Sequence, residues 1–426
     1  MKKALIITYY WPPAGGPGVQ RVLNIVERLS DFGWEPVILT VDNPSAPAVD
    51  KSLLSRIPKD CKVYRTQTKE PFKAYKKITG RKIEATLPKN IALDKKTSFK
   101  ERVSRWIRAN YFIPDARKGW KRFMVKEGLK IIENEKPDII FSTSPPHSLQ
   151  LGAKTLAKKS GLPWVADLRD PWTEAYWETQ MPKTESSKKK NLKYEKAVLN
   201  SANRITTVGG GIQKMLQKKT IRPVSVIYNG YREFDNQFIP SEFFELIHLG
   251  NLSAMQSCNE LIKAICLLTE TEKKKLRLVF IGTLADEYKE ILNNTPEINV
   301  EQIGFLPYEE MIIRARSASM LFLPRLNSSY SKSLISAKLF DYLALGRRVL
   351  AVADRGSDIE NILHRTQNGQ AFLPEEIKKM TTYISDTIAE AEAKNDMMLP
   401  QSEESKRYSG RENVRLLVEI FNELSG

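Results

Sequence analysis

The chain has 426 residues, a formal net charge of +17, and hydrophobic and charged contents of 41% and 27%. That length is too great for one ordinary core and predicts two α/β domains of usual size, while the composition excludes a low-complexity chain. Three cysteines, Cys61, Cys258 and Cys266, lack metal-ligand spacing and are too few for a disulfide scaffold, so a reducing, cytoplasmic setting is expected.

In chain order, Ala4–Tyr9 reads as a buried strand, and the run to Tyr10 is too short for the apolar core of a signal peptide. The loop W-P-P-A-G-G-P-G follows. A helical pattern through Val22, Leu23, Ile25, Val26 and Leu29 comes next, ended by Gly33. Pro36–Val41 forms a second strand, which makes a strand–loop–helix–strand unit with a right-handed crossover. Gly15, Gly16 and Gly18 leave bare backbone N–H groups beside a helix N-terminus, which suits a phosphate; a tight βα turn needs them as well. The dinucleotide fingerprint G-x-G-x-x-G fails because Arg21 stands at the third glycine, although Asp42 follows the second strand as a ribose-binding acid does.

Residues 43–118 read as an irregular, basic, proline-punctuated insertion carrying helices. Order resumes with helix Trp120–Glu133, strand Asp138–Ser142, helix Leu149–Lys159 and strand Trp164–Asp167. A lysine-rich helix near Ser186–Asn200, strand Arg204–Val208, a short helix opened by Gly209–Gly211 and strand Val224–Ile227 complete this half. Two blocks, S-T-S-P-P-H at Ser142–His147 and D-L-R-D-P-W at Asp167–Trp172, follow strands, where loops line the crevice of an open parallel sheet. His147 either hydrogen-bonds an acceptor or moves a proton, or is a structural histidine. Arg169 and Asp170 either face an acceptor or pair with each other.

After a polar linker to Pro240, a second cycle begins with strand Phe244–Leu249, again ending in a glycine, Gly250. Helix Asn259–Thr269, strands Leu276–Gly282 and Ile298–Ile303, helix Tyr308–Ala315 and strand Met320–Pro324 come next. In the segment Ser336–Val352, Leu339, Phe340 and Leu343 give a helix its buried stripe, Gly346 stops it, and Val349–Val352 reads as a strand covered on both faces. Lys338 and Asp341 share one face of that helix. Such a carboxylate can accept both hydroxyls of a ribose; an ordinary surface ion pair is the rival reading. Helices around Pro374–Ala393 and Glu412–Leu424 close the chain. Domains are expected at 1–235 and 236–400, with 401–426 packing back on the first.

Basic residues concentrate between Lys69 and Lys130, Lys95, Arg102, Arg105, Arg108 and Arg122 among them, interleaved with Trp106, Tyr111, Phe112 and Trp120. Segment 95–122 suits the anionic inner face of a membrane, where each cation contributes about 1 kcal/mol. No helix-turn-helix, zinc or RNA-recognition signature accompanies it, so no nucleic-acid partner is expected. A solvated basic face, with Trp106 and Trp120 in the core, is the alternative.

The segment Lys338–Ala351, together with Tyr10–Arg21, Ser142–Trp177, Tyr228–Tyr231, Leu249–Leu252 and Gly304–Pro307, resembles the retaining, family-4-type glycosyltransferases over nearly the whole chain. The S-P-P…D-L-R-D-P-W block resembles a bacterial subgroup of them. The resemblance implies two Rossmann-like domains facing each other across a cleft, the GT-B architecture. It implies transfer of a sugar from a nucleotide-diphosphate-sugar to a glycan or lipid-linked hydroxyl acceptor, without metal or other cofactor. Asp341 takes the place of the second acid of a Glu-(seven residues)-Glu motif, which binds the ribose, and Ser333 the place of the first, which contacts the donor sugar. The arginine and lysine that hold the diphosphate fall on Asn251 and Gln256. Arg325, with a rim charge as its rival reading, and Lys338 are the best local substitutes, and the departures leave an altered donor, a relocated phosphate clamp or lost activity. Gly15, Gly16, Gly18 and Gly250 border the donor, and His147, Arg169 and Asp170 face the acceptor.

Three alternatives share these features. A sugar-nucleotide epimerase would form product without acceptor, and a nicotinamide-dependent oxidoreductase would bind NAD in the first glycine loop. A non-catalytic scaffold would do neither.

Overall fold

A computed structural model of the chain describes residues 1–42, 49–69, 99–175, 178, 181–328, 330–394, 396–400 and 402–426. Much of the expected insertion, with Lys95 and Lys96, lies outside the described residues, as do Trp177 and the side chain of Lys100. The chain forms two compact units: Met1–Tyr228 with Asn413–Gly426, and Asn229–Glu412.

The first unit is built on strands β1 (Lys2–Thr8), β2 (Trp34–Val41), β3 (Lys62–Thr66), β4 (Ile139–Ser144), β5 (Trp164–Leu168), β6 (Arg204–Thr207) and β7 (Val224–Val226). They pair in the order β3-β2-β1-β4-β5-β6-β7, all parallel, with Ile6 between Ile38 and Phe141. The order reverses direction at β1, so the loops after β1 and β4 lie side by side at the switch point where such sheets bind ligands. Strand β3 falls inside the stretch expected to be irregular. It is an edge strand, K-V-Y-R-T, with no fully buried position, so it lacks the continuous apolar run that marks its neighbours. Helix Phe99–Tyr111 follows the undescribed stretch.

The second unit repeats the plan with β8 (Phe244–Leu249), β9 (Leu276–Ile281), β10 (Asn299–Ile303), β11 (Met320–Leu323), β12 (Arg348–Val352) and β13 (Gly369–Phe372), in the order β10-β9-β8-β11-β12-β13. Its switch point is the pair β8/β11. The single helix expected over Asn259–Thr269 is two: the first ends at Cys266, and Thr269 opens a second, Glu270–Lys275, through a capping box with Glu272. Helix Lys338–Leu345 ends at Gly346 with φ +63°, the left-handed conformation that glycine reaches without steric cost, and β12 starts two residues later.

The last helix, Gly410–Ser425, carries the chain back to the first unit. Leu417 and Phe421 are fully buried there, Phe421 meets Trp34 edge-on at 5.3 Å, and Trp34 Nε1 donates to Asn422 Oδ1 at 3.1 Å. The first unit is therefore discontinuous in sequence, running to Tyr228 and resuming at Asn413. No helix among the described residues is long and apolar enough to cross a membrane.

Candidate active site

In the first unit, three sequence blocks meet at the ends of β1, β4 and β5, which are neighbours in the sheet. Gly16 caps helix Pro17–Val26 with φ +109°, and Gly15 is buried in the same loop. Gly18 makes room for Arg169: a Cβ there would lie 2.3 Å from Arg169 Nη1. Arg169 thus lies against the glycine loop. Its Nε donates to the carbonyl of Ser144 at 3.0 Å and its Nη2 to that of Pro145 at 2.9 Å. Its neighbour Asp170 is partly exposed.

His147 begins the next helix, Ser148–Ser160, and its ring stacks on Trp172 at 4.7 Å and 9°. Asp115 holds that helix end, accepting from Ser148 N and Ser148 Oγ, both at 2.7 Å. His147 is 7% exposed, and neither ring nitrogen makes a hydrogen bond of normal geometry among the described residues. Burial pushes its pKa down to about 4; Asp115 and the Pro171 carbonyl oppose the shift, and Arg169 and Lys183 add to it. The ring is neutral at physiological pH, so it is suited to accept a proton or hydrogen bond rather than to carry charge.

Arg21, which breaks the dinucleotide fingerprint, belongs to the core. Its guanidinium grips Asp167 through Nε–Oδ2 at 3.1 Å and Nη2–Oδ1 at 2.8 Å, and its Nη1 donates to the carbonyls of Ile227 and Tyr228 at 2.9 Å. The hydroxyls of Thr143 and Thr206 donate to the same carboxylate. Burial alone would raise the Asp167 carboxyl, but Arg21 overturns that and holds it below its ordinary value. This bidentate pair ties helix Pro17–Val26 to β5 and to the end of the unit's first segment.

In the second unit, the expected donor residues gather at the ends of β8 and β11. Lys338 Nζ lies 2.9 Å from His248 Nε2 and donates to the carbonyl of Asn251 at 3.1 Å. Burial brings its pKa down to about 7. Asp341, one turn on, accepts from the Tyr308 hydroxyl at 2.7 Å, and burial pushes its carboxyl up to about 6 against that bond. No cation sits within ion-pair distance of it among the described residues. The surface ion pair of Lys338 with Asp341, the rival reading, is therefore not made. Gly250, at φ +76°, passes directly beneath the lysine; a Cβ there would be 3.1 Å from Lys338 Cε.

The remaining candidates are held in other ways. Asn251 turns its side chain away to accept from Thr283 N at 3.2 Å. Gln256 lies in a turn, its Oε1 accepting from Ser253 N at 3.4 Å. Ser333 ends the short 3-10 turn Ser331–Ser333. Arg325 follows β11 but is paired with Asp354, Nε–Oδ1 3.0 Å, and Asp354 also accepts from Ser331. That pairing makes Arg325 a held cation, partly neutralised, and leaves Lys338 the stronger donor to a phosphate.

Sequence reasoning missed His248, Tyr308, Tyr342 and Asp354. Tyr308 carried a signal, since it directly follows Gly304–Pro307, and His248 sits two residues before Gly250. Tyr342 directly follows Asp341 inside Ser336–Val352, and Asp354 carried none.

The fold agrees with the comparisons. The model described as Glycosyltransferase Family 4 matches residues 88–232, and the one described as Glycosyl transferases group 1 matches residues 232–398. No curated protein matches. Among solved structures, HepE of Anabaena in complex with UDP aligns with a TM-score of 0.64 at 13% identity, with 100% of both chains covered. The lipopolysaccharide outer core galactosyltransferase WaaB in its apo form aligns at 0.57 and 13%, again with 100% of both chains covered. A TarM mutant of S. aureus, in complex with Fondaparinux, alpha-GlcNAc-glycerol and UDP, aligns at 0.59 and 11% over 100% of both chains. The chain belongs to the family-4-type glycosyltransferases of GT-B fold.

Proposed function

We propose that the protein is a retaining glycosyltransferase that moves a sugar from a nucleotide-diphosphate-sugar to a hydroxyl acceptor in bacterial polysaccharide or lipid-linked glycan assembly. The observation that carries this reading is the pair at the β8/β11 switch point: among the described residues, an ammonium with no carboxylate partner and, one turn away, a carboxylate with no cation. The first fits a diphosphate oxygen and the second a ribose. The acceptor oxygen bonds the anomeric carbon on the face that the diphosphate leaves, and the acceptor proton passes to the departing phosphate oxygen. The protein's part is to place both substrates and to stabilise the leaving charge. His147, neutral and buried beside Arg169, is the acceptor-side group.

UDP in the HepE and TarM complexes makes UDP-sugars the first donors to test. Incubation with a UDP-, GDP- or ADP-sugar and a lipid-linked glycan should give product with the anomeric configuration of the donor, read by proton NMR. An inverted product would sink the retaining reading. Product formed without acceptor would favour an epimerase. Since Lys338 and Arg325 supply the positive charge for the diphosphate, transfer should also persist in excess EDTA. Loss of activity that magnesium restores would overturn metal independence.

The acceptor reading places the enzyme in the cytoplasm at the inner face of the membrane. Trp120 is in the core and bonds Thr66 through Nε1 at 2.6 Å, but Trp106 is 52% exposed. With Val103, Ile107 and Tyr111 it forms an exposed apolar stripe on helix Phe99–Tyr111, beside Arg102, Arg105 and Arg108. Nearby, Lys118, Lys121, Arg122, Lys126 and Lys159 line a groove over Val125 and Leu129, with no carboxylate partner among the described residues. Cations around apolar surface support docking on anionic lipid. Binding to anionic vesicles should fall steeply with salt and on Arg102/Arg105/Arg108→Glu replacement, because the attraction is screened within about 8 Å at physiological salt. Equal partitioning onto neutral and anionic vesicles would leave these residues a solvated face.

A further inference from the structure

His248 is fully buried on β8, two residues before Gly250. Its Nδ1 lies 3.0 Å from the carbonyl oxygen of Phe322 on β11. A carbonyl can only accept, so Nδ1 carries the proton and Nε2 presents a lone pair. That lone pair faces Lys338 Nζ at 2.9 Å. The ammonium has three N–H donors; His248 and the Asn251 carbonyl take two, and one is left for a ligand.

We propose that His248 is the positioning residue of a phosphate-oxygen subsite, in which Lys338, held between the ring and the Asn251 carbonyl, gives its third N–H to the donor's diphosphate. The subsite does the work of the arginine and lysine whose places are taken by Asn251 and Gln256. This inference rests on the donor reading above.

Two features support it besides the distances. A neutral ring orients the lysine without neutralising it, whereas a carboxylate at that place would compete with the phosphate. Burial and the adjacent ammonium keep His248 well below its ordinary pKa, so the ring stays neutral. The lysine's helix is also fixed to the strands beneath it. Tyr342 donates to the Phe322 carbonyl at 2.9 Å and accepts from Leu249 N at 3.2 Å. Both lone pairs of the Phe322 oxygen are thus used, one by each ring, and the helix and the histidine share one anchor.

The test is calorimetric titration of the whole chain with UDP, GDP and ADP. The tightest diphosphate and its bare nucleoside are then titrated into Lys338→Met, His248→Leu and His248→Gln. Lys338→Met and His248→Leu should each lose roughly 10- to 100-fold in diphosphate affinity, the usual worth of a charge-assisted bond, with nucleoside affinity changed less than about twofold. His248→Gln keeps an acceptor for the ammonium and should lose less. The double variant His248→Leu/Lys338→Met should bind no worse than Lys338→Met alone. Equal losses for nucleoside and diphosphate, or additive losses in the double variant, would overturn the inference. If His248→Leu does not fold, the same comparison of His248→Gln with Lys338→Met decides. A native chain that binds none of the three diphosphates would overturn the donor reading itself, a result distinct from either.

Discussion

Replacing Asp341 with asparagine is expected to weaken nucleotide binding roughly 10- to 100-fold, about 1.5–3 kcal/mol, because the amide keeps the shape but loses the charged acceptor for the ribose. The same change should stabilise the empty protein at neutral pH. Burial holds the carboxyl at about 6 in the folded chain, above its ordinary 3.8. A group raised in this way favours folding below its unfolded pKa, and that benefit is lost as pH rises through about 6. At pH 7 the ionised side chain therefore costs stability on the order of 3 kcal/mol, which asparagine removes. Nucleotide affinity should likewise fall as pH drops below about 6, where the carboxyl is protonated. Calorimetric binding and scanning calorimetry on the same variant check both halves. Unchanged affinity with a lowered melting temperature would make Asp341 a structural helix residue.

The largest expected loss of stability is at Arg21. Arg21→Met leaves the Asp167 carboxylate buried with only hydroxyl donors, and breaking a buried pair on one side costs about 3–5 kcal/mol. Arg21→Met with Asp167→Asn removes the orphaned charge and should recover part of that. All seven tryptophans fall within residues 1–228, so urea unfolding followed by tryptophan fluorescence reports the first unit alone. A loss below about 1 kcal/mol in the single variant would show that water or a neighbouring group replaces the guanidinium.

Local signals carried the fold a long way. The stretches Ala4–Ile7 and Val349–Val352 are buried on both faces, so each shows as an unbroken apolar run, and Gly346 marks a helix end because its backbone takes positive φ. What stayed hidden depended on partners distant in sequence. Arg21 looked like a broken glycine motif because Asp167, the group that explains it, is 146 residues away. His248 read as one more strand residue because Lys338 is 90 residues on. Strand β3 escaped because an edge strand is only half covered. Composition could not separate Trp106 from Trp120 either, since both sit among lysines and arginines and differ only in which face of the fold they meet.

The return of the last helix sets an order of events for a chain emerging from the ribosome. Domains usually fold as they are made, the earlier one first. Here Val414, Leu417 and Phe421 belong to the core around Trp34 and Phe141, yet they are translated only after the whole second unit. The unit from Asn229 to Glu412 is contiguous and can close while synthesis continues. The unit begun first must hold an open apolar surface until Val414–Phe421 are released, so the nascent chain stays exposed to aggregation throughout synthesis of the second unit.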